Sequence, residues 1–141
     1  MARVVSDLAY RTAVTAGPFV ESLAEDVVSV AQELRHGELA DALAAFETTA
    51  ERLHRFLTYL VVVSELLIDS QPTLGAILAE YSRRLLAAAE SIEALLTAQD
   101  FVGVVEALEN SLARTLSEYT IYAQDVRRAL VPRPEPLRRT G

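Results

Sequence analysis

The chain has no cysteine and no lysine among its 141 residues. The first absence excludes disulfides and thiolate metal sites, and with them any sign of an oxidising compartment. The second makes all thirteen basic residues arginine, a usage that fits GC-rich coding because the arginines are not clustered as bidentate anion recognition requires. Positive charge is scarce overall. The net charge of −7 argues against nucleic acid as a partner, since a phosphate backbone needs a basic face. With only five glycines, five prolines and no long polar tract, disorder is expected only at the ends.

A long apolar run is missing too. The greasiest stretch is FLTYLVVVSELLI, Phe56 to Ile68, whose only charge is Glu65. Thirteen residues rise about 20 Å as a helix, short of the ~30 Å of hydrocarbon that a span must cross. The N-terminus carries no basic region followed by an uninterrupted apolar block, so it does not read as a secretory signal. No membrane span and a soluble, cytoplasmic protein are the expectation.

What is present is helical periodicity almost everywhere. One stripe runs through Phe19 or Val20, Leu23, Val27, Val30 and Leu34, with Pro18 placed as a first helical residue and Gly37 as a helix-ending one. A second takes Leu39, Leu43, Phe46, Ala50, Leu53, Leu57, Leu60, Ser64 and Leu67. A third follows Pro72 through Leu74, Leu78, Tyr81, Leu85, Ala88, Ile92 and Leu95. The fourth takes Phe101, Val105, Leu108, Leu112, Leu116, Tyr119, Ala123, Val126 and Leu130, with Asp100 placed as its N-cap. Steps of four and three imply coiled-coil-like packing. The breaks RHGE, DSQP and AQD are short enough to join antiparallel neighbours.

The expected fold is therefore all-α: an antiparallel up-down-up-down four-helix bundle over residues 18–131. A short helix or irregular arm over 1–17 precedes it. A flexible tail over 132–141 follows, where Pro132, Pro134 and Pro136 cannot continue a helix.

Few residues suggest chemistry. Glu51 and His54 form an E-x-x-H pair, the spacing used by di-iron bundles, but those need a second such pair and two further glutamates. The plainer reading is a surface triad of Glu47, Glu51 and His54 with contacts one helical turn apart. There is no nucleophile elbow and no glycine-rich phosphate loop. No catalytic residue, metal ligand or cofactor is expected, and no enzymatic activity. Gly75 and Gly103 fall in the first turns of helices, where they suit close packing.

Within the Phe56–Ile68 stretch, Leu57, Leu60, Ser64 and Leu67 lie on the core seam, widened by Phe56 and Val63. Val62 is the one apolar member of the opposite strip of Arg55, Thr58, Glu65 and Asp69. A helix apolar over so much of its circumference needs more than one neighbour. Tyr59, Val62 and Leu66, together with Tyr119 and Tyr122, are the candidate partner-binding residues, tyrosine being enriched at interfaces. The partner is a protein, either a helix or disordered segment of another chain or a second copy of this one.

The order of LRHGELADAL, AERLHRFLTYL and LAEYSRRLLAAAESIEALLTAQDFVGVVEALENSLARTLSEY, with paired Arg83 and Arg84 after Tyr81, resembles the FliS-like flagellar export chaperones and related bacterial helical-bundle proteins. The likeness covers roughly residues 18 to 130. It implies a chaperone- or adaptor-like bundle that holds a partner's helix or disordered segment in an apolar groove, without fixing which residues bind.

Overall fold

The computed structural model describes residues 2–131, with side chains from residue 7 onward. Helix α1 spans Ala2–Arg35, α2 Leu39–Leu67 and α3 Pro72–Thr97. The fourth helical run, residues 101–130, divides into α4 (Phe101–Ala107), a π-turn (Leu108–Leu112), α5 (Ala113–Ser117) and α6 (Tyr119–Leu130). There is no strand among the described residues, and the protein is all-α. The expected tail, 132–141, lies outside the described residues.

Pro18 does not begin a helix; it sits inside α1. The expected division at residue 17 is replaced by one helix about 50 Å long. The reason lies in the seam. Ala9, Ala13 and Ala16 are buried in phase with Val20, Leu23, Val27 and Val30, in steps of four and three that pass straight through the proline. Pro18 itself is exposed and follows Gly17, whose missing Cβ eases the crowding that proline imposes on its predecessor. Its ring leaves the Val14 carbonyl without an intrahelical donor. Val14 is 45% exposed, so water can reach that side of the helix.

The turns follow from local chemistry. α1 ends in a Schellman motif: Gly37 lies at φ +77°, the Glu38 N–H reaches the Glu33 carbonyl at 3.0 Å, and the Gly37 N–H reaches Leu34 at 3.1 Å. α3 ends in the same way at Gln99, where a non-glycine residue takes φ +58°. There Asp100 N–H bonds the Leu95 carbonyl and Gln99 N–H that of Leu96. Pro72 opens α3, and the Asp100 carboxylate accepts the Gly103 N–H at 3.0 Å to cap α4. Gly75 is buried where a Cβ would come within 3.2 Å of the backbone at Ser64 and Ile68, so it sets the close approach of α3 to α2.

Helix α1 packs on α2 and on the fourth run, and α3 packs on α2 and on the fourth run. Arg52 on α2 binds Asp26 on α1 and reaches the Ser22 hydroxyl at 3.1 Å, with its guanidinium over the Phe19 ring. At the far end of α1, Arg35 pairs with Glu109 of the π-turn at 2.8 Å. Arg84 on α3 bonds Glu118 at 2.8 Å.

Two local features correct the heptad picture. In α2 the buried line is Ala42, Thr49, Leu53, Phe56, Leu60, Val63 and Leu67. Leu57 and Ser64 are only half-buried, Ala50 is exposed, and Leu39 and Leu43 face solvent. The seam thus runs one residue N-terminal to the expected one at alternate positions. In the fourth run, Leu108, Leu112 and Leu116 are separated by two successive steps of four. In an α-helix each such step carries the seam about 40° round the axis, since residues turn by about 100°. The π-turn, in which the Ala113 N–H bonds the Leu108 carbonyl, underwinds the helix at this place, and all three leucines stay buried.

Candidate interaction surface

The five residues marked by the sequence divide into two groups. Tyr119 is 0% exposed, so it belongs to the core and offers nothing to a partner. Its ring meets Phe56 edge-on with centroids 5.1 Å apart, and its hydroxyl lies 2.8 Å from that of Tyr59. Tyr59 stacks along Phe56 at 5.9 Å, which turns most of its ring inward. Tyr122 is half-buried with its centroid 5.4 Å from that of Tyr81. Tyr81 is buried and donates its hydroxyl to the Thr115 carbonyl at 2.6 Å, with Leu116 at 3.2 Å. Those carbonyls stand just before the irregularity at Glu118, where the helical ladder is interrupted between α5 and α6. The tyrosines therefore tie α2, α3 and the fourth run together across the interior.

Burial pushes the Tyr59 hydroxyl well above the ordinary tyrosine range, and the adjacent Tyr119 adds to the shift. Burial raises Tyr81 in the same way, with Glu118 adding and Arg84 opposing. Tyr119 is raised by burial against the lowering effects of Tyr59 and Arg127. These are neutral core hydroxyls, poorly suited to proton transfer at neutral pH.

Val62 and Leu66 behave differently. Val62 is 43% exposed, and Leu66 is half-buried against the core edge. Val61 and Ile68, which flank the expected seam, are 46% and 48% exposed. The second half of α2 thus leaves several apolar side chains in water, among an otherwise polar strip of Thr58, Glu65 and Asp69. Further exposed apolar residues, besides Leu39 and Leu43, are Leu8, Val14, Ile77, Leu86, Val102, Ile121 and Val131. For Val61, Val62 and Ile68, as for Leu8, Val14, Ile77 and Ile121, the signal in the sequence is position: each is apolar yet off the seam of its helix.

Glu47, Glu51 and His54 are all exposed on α2. No group of three or more histidine and carboxylate side chains among the described residues is arranged to hold a metal ion. No helix among them is long and apolar enough to cross a membrane. Comparison of the chain with protein-family models, curated proteins and solved structures finds no match in any of the three.

Proposed function

We propose that this protein is a non-enzymatic interaction module, chaperone- or adaptor-like, whose four helices form an antiparallel up-down-up-down bundle that buries a partner's amphipathic segment. The bundle topology is supported by the order of the contacts. Asp26 of α1 meets Arg52 of α2, whereas Thr12 and Thr15, further back in α1, lie beside Tyr59, further on in α2. Likewise Arg35 meets Glu109 while Glu21 lies near Ser117. Short connections between successive helices agree with it.

The observation that carries the function is the apolar outer surface of the second half of α2, Val61, Val62 and Ile68 with Leu66 at its edge. Exposed apolar side chains grouped on one element are how helical proteins receive an amphipathic helix. The resemblance to FliS-like chaperones points the same way. A second reading, a homo-oligomer with this surface buried between copies, draws on the same residues.

A photo-crosslinking amino acid at Val62, compared with one at exposed Glu47, tests both. The first reading predicts that Val62 forms an adduct with a defined partner chain in the native cell and Glu47 does not. An adduct at the mass of two copies selects the homo-oligomer, and equal labelling at both positions would sink both readings.

A further inference from the structure

A different face carries a second surface, independent of the reading above. Between α1 and α2 lies a cleft of about 450 Å³, within the size range of small-ligand sites. Its apolar lining is Ala16, Pro18 and Phe19 from α1 with Phe56 and Tyr59 from α2. The opening follows from the sequence. Where α1 has leucine and valine on its seam further along, it has alanine here, and Ala13 and Ala16 leave room beside the large rings of α2.

The rim is polar and carries a single charge. Thr12 and Thr15 spend their hydroxyl protons on backbone carbonyls, those of Leu8 at 2.9 Å and Thr12 at 3.0 Å, so neither has a proton left to donate. Arg55 is the one charged group of the lining. Arg52, one turn before it, is committed to Asp26, Ser22 and the Phe19 ring. Arg55 has no ion pair and no hydrogen bond among the described residues, and no acidic side chain lines the cleft. Arg114, Arg127 and Arg128 likewise lack an ion pair among the described residues, and Glu51 stands one turn before Arg55 on α2, outside the cleft. What sets Arg55 apart is its place as the one charge lining an apolar cleft. Its planar fork of donors matches a carboxylate, and the rings below match an apolar body.

We infer that the α1–α2 cleft binds a small amphiphilic monocarboxylate, with its carboxylate on Arg55 and its alkyl or aromatic body between Phe19, Phe56 and Tyr59. The test is calorimetric titration of the full chain with decanoate, decanol and decyltrimethylammonium at neutral pH, below micelle formation. Decanoate should bind at one site per chain, at least tenfold tighter than the cation. Arg55→Gln should weaken decanoate about tenfold and leave decanol unchanged. Thr15→Trp, or Thr12→Trp should the first perturb the melting curve, fills the cleft from its exposed edge and should abolish both. Equal binding of decanoate and the cation, an Arg55→Gln variant that binds decanoate like the parent, or unchanged binding after the cleft is filled would each overturn the inference.

Discussion

The hydroxyl contact between Tyr59 and Tyr119 predicts a specific pattern of coupled stabilities. The two side chains stand on α2 and α6, and their oxygens are 2.8 Å apart. Tyr119 has no solvent exposure and no other hydrogen-bond partner among the described residues. Tyr59→Phe therefore strands a fully buried hydroxyl, which costs about 1–3 kcal/mol. Tyr119→Phe strands the Tyr59 hydroxyl, which lies nearer the surface and can recover part of its hydration, so about 1 kcal/mol is expected. Replacing both by Phe removes both polar atoms, keeps the ring contacts with Phe56, and should cost less than the sum of the two. The cycle should close with a coupling of about 1–2 kcal/mol, in the range of residues in direct contact. Urea unfolding followed by far-UV circular dichroism on the four proteins measures it. Additive losses, with a coupling under about 0.3 kcal/mol, would show that the two hydroxyls do not bond and that α6 is not held against α2 as described.

The buried tyrosines also make the fold sensitive to alkali. Tyr59, Tyr81 and Tyr119 all have folded-state values raised above the ordinary 10.0, chiefly by burial. Below about pH 10 both folded and unfolded states hold these protons and stability is flat. Above it the unfolded chain loses them first, and each residue lowers stability by about 1.4 kcal/mol per pH unit until its folded-state value is reached. Melting curves from pH 8 to 12 should therefore fall steeply past pH 10, and more gently for Tyr81→Phe. Pro18→Ala should stabilise the protein by about 2 kcal/mol, from the ~3 kcal/mol of a lost bond and ring clash less up to ~1 kcal/mol of added unfolded-state entropy; a lower Tm would contradict the reading of α1. Gln99→Gly should add about 0.5–1 kcal/mol by relieving a left-handed residue at the end of α3, and an unchanged urea midpoint would argue against that conformation.

Much of the helical framework was legible. In α3 and the fourth run the named seam is also the packed one: Leu78, Tyr81, Leu85, Ala88 and Ile92 are buried, as are Val105 through Leu130 at the spacing read from the chain. The Asp100 cap and the Gly37 terminator were equally plain, because each is a local bond that needs no distant residue. The continuation of α1 was present as the phase of Ala9, Ala13 and Ala16. Alanine, however, carries little hydrophobic contrast, and a proline two residues further on reads as a start. The doubled step of four around Leu112 was visible, while the π-turn that absorbs it was not.

The exposed apolar surface was less legible, since it depends on which side of each helix the others cover. α2 is apolar around so much of its circumference that two adjacent lines fit the same periodicity, one through Leu57 and Ser64 and one through Phe56 and Val63. Packing chose the second, with the edge of the Tyr119 ring against Phe56. That choice set the Phe56 ring against Tyr119 and left Val61 and Ile68 in water. The cleft beside Arg55 had no sequence signal at all, because its walls come from residues some forty apart in the chain.

By itself, the sequence determined an all-α chain, three short turns with the Gly37 terminator and the Asp100 cap, and the membership of most of the core, since helical phase and capping are set by residues within a few positions of one another. Only the tertiary structure decided the rotation of α2 about its axis, the passage of α1 through Pro18, the pairing of Tyr59 with Tyr119 and the placing of Arg55 at the α1–α2 cleft. Each of these depends on a neighbouring helix, which buries one face, leaves another in solvent, and supplies or withholds a partner for a polar group.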